Sequence, residues 1–155
     1  MIVELTAPDT ATLADVRELF KEYGDSLGPG HLCFQQFDRE LAELPGAYKP
    51  PGGGLWLARI DGELAGCIAL RPSSPGIAEL KRLYLRPHYR GRGLGKSLAE
   101  TAIAGARERK YGKVRLDTMP SMNEAFALYR SLGFQPIEAY CYNPVPGAVF
   151  MELTL

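Results

Sequence analysis

Apolar residues Leu13, Val16, Phe20 and Tyr23 recur at spacings of three and four. That period puts them on one face of a helix. Asp9 and Thr10 stand just ahead of the pattern and can cap its start. Gly24, Gly28, Pro29 and Gly30 are expected to end it. A short strand over 2–6 precedes this helix. A second helix is predicted over 34–44, with Phe37, Leu41 and Leu44 facing inward. Residues 45–54 carry three prolines and four glycines and read as a loop.

The period then changes. A strand over 55–60, the turn Asp61-Gly62 and a return strand over 63–70 form a hairpin. A turn over 72–76 leads to a third strand over 77–85, which Pro87 stops. A long helix is expected from the following glycines to about residue 110. A strand over 113–117 and a helix over 122–132, ended by Gly133, come next. Two last strands, 137–140 and 149–153, flank a loop with Asn143, Pro144, Pro146 and Gly147. No internal repeat or linker interrupts the pattern, so one domain is expected over 1–155. The order predicts an α+β fold, a mixed sheet with helices on both faces.

Composition agrees with a globular domain: 46% of the 155 residues are hydrophobic and 23% are charged. The 18 basic and 18 acidic residues cancel, which argues against a surface that binds nucleic acid or anionic membrane as a whole. Cys33, Cys67 and Cys141 lie far apart, and His31 and His88 are the only histidines. Neither a disulfide framework nor a metal site is expected. The N-terminus lacks a basic region before an apolar stretch, and no run reaches the ~18–20 apolar residues that span a bilayer. The expectation is a cytoplasmic protein with no membrane partner.

The charge is not evenly spread. Lys81 to Lys96 holds six basic residues and no acid, around Gly91, Gly93 and Gly95. Glycines admit an anion close to the backbone, and a helix start presents unpaired N–H groups and a partial positive charge. Together these make a phosphate site. A Walker loop fails because its first glycine would fall on Arg90. A dinucleotide fingerprint fails because its third glycine would fall on Lys96.

Arg90-Gly91-Arg92-Gly93-Leu94-Gly95 resembles Gln/Arg-x-x-Gly-x-Gly/Ala, the pyrophosphate loop of the GNAT N-acetyltransferase family. Ala125-Phe126-Ala127-Leu128-Tyr129 through Gly133-Phe134 resembles that family's second signature. The two occur in the family's order, and the resemblance extends over essentially the whole chain. The stretch Tyr142 to Ala148 is similar to a subset of uncharacterised bacterial members. The resemblance implies a mostly antiparallel sheet that splays open between strands 77–85 and 113–117. Acetyl-CoA would enter there as the acyl donor. Leu83, Tyr84 and Leu85 would pair with its pantetheine arm, and Arg90, Gly91, Arg92, Gly93, Leu94, Gly95 and Lys96 would hold its pyrophosphate. Tyr129 takes the place of the family's general acid, and Glu79 matches a general base in one branch. A backbone N–H near Leu83 is the implied oxyanion donor. The family asparagine three residues ahead of the second signature is Met122 here, so Asn123 is the candidate for that contact.

The resemblance places acceptor recognition in residues 23–37, with Asp25, His31, Gln35 and Gln36, and in the C-terminal loop, with Tyr140, Tyr142 and Asn143. It implies acetyl transfer to a primary amine of a small molecule, amino acid or peptide. Alternatives are a protein lysine or N-terminal acetyltransferase and a non-catalytic acyl-CoA-binding module. The resemblance also implies a homodimer through the C-terminal strands as one state.

Overall fold

The computed structural model describes residues 1–28, 32, 36–119 and 122–155. Its strands are β1 (Ile2–Glu4), β2 (Gly54–Ile60), β3 (Glu63–Ser74), β4 (Ile77–Leu85), β5 (Lys113–Thr118), β6 (Gln135–Ile137) and β7 (Val149–Thr154). Its helices are α1 (Thr10–Leu27), α2 (Phe37–Glu43), α3 (Leu94–Glu108) and α4 (Asn123–Ser131). The strands form one sheet in the order β1-β2-β3-β4-β5-β7-β6. Only β4 and β5 run parallel; every other neighbouring pair is antiparallel.

Alternation along each strand divides the core into two layers. Leu55 and Leu57 of β2 pack with Val16, Leu19 and Phe20 of α1 and Leu41 of α2. Trp56 and Ala58 pack on the opposite side with Leu98, Ala99, Ala102 and Ile103 of α3. The expected mixed, mostly antiparallel sheet with helices on both faces is what forms. Among the described residues, no helix is long and apolar enough to cross a membrane.

Several boundaries moved for identifiable reasons. Asp9 caps α1 as expected, its carboxylate accepting from Thr12 N–H at 2.8 Å. Gly24 lies inside α1 rather than ending it, and a Cβ there would come 2.9 Å from the Phe37 ring. Gly24 therefore lets α2 approach α1, and Gly28, at φ 94°, closes the helix. The predicted second helix begins at Phe37, and residues 34 and 35 of that expectation lie outside the described residues. β3 does not stop before Pro72. It continues to Ser74, because pairing with β4 resumes across a register shift between Pro72 and Ser74, and an irregularity of this kind tolerates a proline. β6 ends at Ile137, earlier than the predicted 137–140, so Tyr140 belongs to the loop.

The β4 register carries the main irregularity. Cys67 faces Tyr84 and Ala69 faces Lys81, so two steps on β3 meet three on β4. The extra residue is at Arg82, whose φ is 62°. This β-bulge slips the alternation. Ala78, Leu80, Leu83 and Leu85 all face the α3 layer. Lys81 and Arg82, between them, both face the α1–α2 layer.

Trp56 is covered by α3 at Gly105, where a Cβ would come 2.6 Å from the indole ring. Gly105→Val should therefore destabilise the fold by about 1–3 kcal/mol through overpacking. Urea unfolding should show a lower midpoint with an unchanged slope.

Candidate active site

β4 and β5 pair only at Ile77↔Lys113, Ala78↔Val114 and Glu79↔Arg115. Beyond Glu79 the strands separate. Residues 81–85 then lack a strand partner on that edge among the described residues. The gap opens a narrow cleft lined by Lys81, Arg82, Leu83, Asp117, Thr118 and Tyr129 among others. After β4 the chain turns through Gly91 (φ 76°) and Gly93 (φ 80°) into α3. A Cβ at either glycine would meet nothing within 4 Å, so their backbone faces open space. The first bond of α3 is Ser97 N–H to Gly93 O. No acceptor for the N–H groups of residues 91–96 occurs among the described residues.

The two cleft walls differ. On the α4 side stand two hydroxyls. Tyr129 is buried, edge-on to Phe134 at 5.6 Å, and its hydroxyl makes no hydrogen bond among the described residues. Burial raises its pKa well above the ordinary tyrosine value, so the phenol stays protonated. Thr118 is 5% exposed, and its Oγ1 is the one buried side-chain polar atom without a partner among the described residues.

On the α1–α2 side stand charges. Arg82 makes a two-pronged ion pair with Glu40 of α2, at 2.9 and 3.0 Å. Tyr48 donates to the same carboxylate at 2.8 Å, and the Phe37 and Tyr23 rings flank the guanidinium. Lys81 lies 3.7 Å from Asp117. Asp117 also accepts from Asn143 at 2.9 Å.

Glu79 sits behind this wall. Its carboxylate accepts from Arg71 Nε at 2.8 Å and from Tyr140 Oη at 2.6 Å, and it does not line the cleft. The C-terminal loop thus delivers Tyr140 to Glu79 and Asn143 to Asp117, which brings two of the expected acceptor residues to one charged cluster. Tyr142 is exposed, as are Asp25 and Gln36. His31 and Gln35 lie outside the described residues.

The Acetyltransferase (GNAT) family matches residues 13–134. The chain belongs to this family. An uncharacterised N-acetyltransferase of Schizosaccharomyces pombe is 39% identical over 92% of this chain and 88% of its own length. One from Escherichia coli is 36% identical over 86% of this chain and 81% of its own. A solved Klebsiella pneumoniae structure, described as an acyl-CoA N-acyltransferase, superposes with a TM-score of 0.74. It is 32% identical and covers 100% of this chain and 97% of that one. The protein is a GNAT N-acetyltransferase, and acetyl-CoA is its cofactor.

The residues present fit that cofactor. Unaccepted N–H groups over 91–96 at a helix start suit a pyrophosphate. The unpartnered edge of β4 suits the amides of a pantetheine arm. Arg90 is partly committed: its Nε donates to Leu85 O at 2.9 Å and its guanidinium stacks on Tyr84. Arg92 is exposed, and Lys96 stands 4.0 Å from Glu100. Leu85 supports the loop through Gly95, where a Cβ would lie 3.4 Å from its side chain. Asn123 opens α4, is exposed and does not line the cleft; Met122 does. Sequence reasoning missed Asp117, Thr118 and the Arg82–Glu40 pair as parts of the site. Only the acid-free run containing Lys81 and Arg82 pointed toward it.

An unpartnered buried hydroxyl costs stability in the free protein. Thr118→Val should therefore raise the melting temperature of the cofactor-free enzyme by roughly 2–4 °C, about 1 kcal/mol. Calorimetric melting checks this.

Proposed function

We propose that the protein transfers the acetyl group of acetyl-CoA directly to a primary amine of a small molecule, amino acid or peptide. Tyr129 is the acid that protonates the departing sulfur. The observation that carries this reading is Tyr129: its ring is buried, its phenol is protonated, its hydroxyl has no hydrogen-bond partner among the described residues, and it stands on the wall of the cleft between β4 and β5. Acetyl-CoA supplies a thioester already activated toward amines. The chain supplies the placement. N–H groups over 91–96 bind the phosphates, aided by Arg90, Arg92 and Lys96. The β4 edge at Leu83, Tyr84 and Leu85 aligns the arm. An N–H near Leu83, beside the bulge, serves as donor to the developing oxyanion.

The acceptor must lose a proton before it attacks. Glu79 supports this through Tyr140, whose phenol already donates to it at 2.6 Å. The proton from the amine passes to the Tyr140 oxygen as the Tyr140 proton passes to Glu79. In this reading Glu79 acts at one remove, because Arg71 and Tyr140 occupy its carboxylate.

Release of free thiol from acetyl-CoA in the presence of an amine panel tests the function; no release with any amine contradicts it. Tyr129→Phe should lower kcat roughly 10²-fold or more, with KM for acetyl-CoA little changed. Burial holds the Tyr129 phenol protonated above the ordinary value near 10. The kcat profile should accordingly show no loss of a catalytic acid up to pH 10. Gly93→Val should instead raise KM for acetyl-CoA at least tenfold, because its φ of 80° strains any β-branched residue.

A further inference from the structure

One charge on the acceptor side of the cleft has needs that the protein leaves unmet. The Lys81 side chain is 5% exposed. Its ammonium makes no hydrogen bond among the described residues, and its nearest acid, Asp117 Oδ1, stands at 3.7 Å. The neighbouring guanidiniums are committed: Arg71 to Glu79, Arg82 to Glu40 and Arg115 to Glu152. Asp117 is half committed. Its Oδ2 accepts from Asn143, while among the described residues its Oδ1 has only the distant lysine. Both side chains line the cleft. The lysine stem is buried while its ammonium reaches the cleft, so a ligand there can supply acceptors for its three donors. Burial lowers its pKa, against the pull of Glu79 and Asp117.

Three kinds of ligand can be compared. A purely anionic acceptor would bring its charge against Asp117. A simple amine would leave Lys81 without an acceptor and add a second cation beside it. A ligand with an ammonium and a carboxylate a few ångströms apart satisfies both groups. The charged residues that line the cleft are Lys81, Arg82 and Asp117; Glu40 neutralises Arg82, so the lysine and the aspartate that remain balance, which suits a zwitterion. We propose that Lys81 and Asp117 form an acceptor subsite for an amino acid, Lys81 binding its carboxylate and Asp117 its amino group. This rests on the acetyl-transfer reading above. Neither residue is needed for the cofactor contacts. Lys81 and Asp117 recognise the acceptor, and the bulge at Arg82 makes this possible by turning Lys81 and Arg82 to the same side.

The test is steady-state thiol release by the wild-type enzyme with the standard L-amino acids, their α-carboxamides and the corresponding decarboxylated amines. Amino acids should exceed their amides and amines in kcat/KM by roughly 10- to 100-fold, the range of a hydrogen bond to a charged group. Lys81→Met should raise KM for the amino acid at least tenfold and leave KM for acetyl-CoA within about twofold. Amides or plain amines turned over as well as amino acids would overturn the subsite while leaving acetyl transfer standing. An unchanged amino acid KM in a folded Lys81→Met enzyme would also overturn it. Should that variant fail to fold, the wild-type comparison decides alone. Thiol release with none of these compounds, but with another amine, would overturn the subsite and leave acetyl transfer standing; release with no amine at all would overturn both.

Discussion

The extra residue in β4 is the constraint on which the rest of the site depends. Arg82 holds a left-handed backbone conformation that costs a non-glycine residue about 1–2 kcal/mol. Its side chain is committed to the buried pair with Glu40, and removing one partner from such a pair typically costs about 3–5 kcal/mol because the other charge is left buried alone. Glu40 is itself fixed by Tyr48, and Tyr23 and Phe37 enclose the guanidinium. One contact thus ties α1, α2 and the sheet together at the point where β4 leaves β5.

The consequence is a cleft with two unlike walls. The α4 wall offers neutral hydroxyls from Tyr129 and Thr118. The α1–α2 wall offers fixed charges of both signs. The cleft thus sets a protonated phenol opposite a polar, preorganised surface. The neutral charge of the whole chain hides this arrangement. The basic excess over 81–96 is divided by the fold: Lys81 and Arg82 enter the α1–α2 wall with partners from α2 and β5. Arg90, Arg92 and Lys96 stay with the glycine turn.

What could be read from the sequence was local. The β4 strand, the glycines before α3 and the α3 and α4 helices follow from period-2 and period-3.6 patterns and from turn chemistry. What could not be read depends on long-range pairing. Glu40 meets Arg82 across 42 positions, and nothing in either segment names the other. Asp117 looks like the polar end of an ordinary strand until Asn143 reaches it from the C-terminal loop. Gly24 resembles a helix stop but provides room for Phe37, and Pro72 resembles a strand stop but sits at an irregularity. Asn123 is adjacent to the expected position in sequence, yet the first turn of α4 points it away from the cleft. Glu79 has the right spacing and lies behind the wall, reached through Tyr140.

The central claim is that the β4 edge past the bulge and the turn before α3 together receive the acyl donor. Amide hydrogen exchange with and without acetyl-CoA tests it most directly. Protection should rise at residues 83–85 and 91–96 and stay unchanged in β2, which lies on the far side of β3. Equal exchange at both segments with saturating acetyl-CoA, or protection confined to another face of the sheet, would contradict the account.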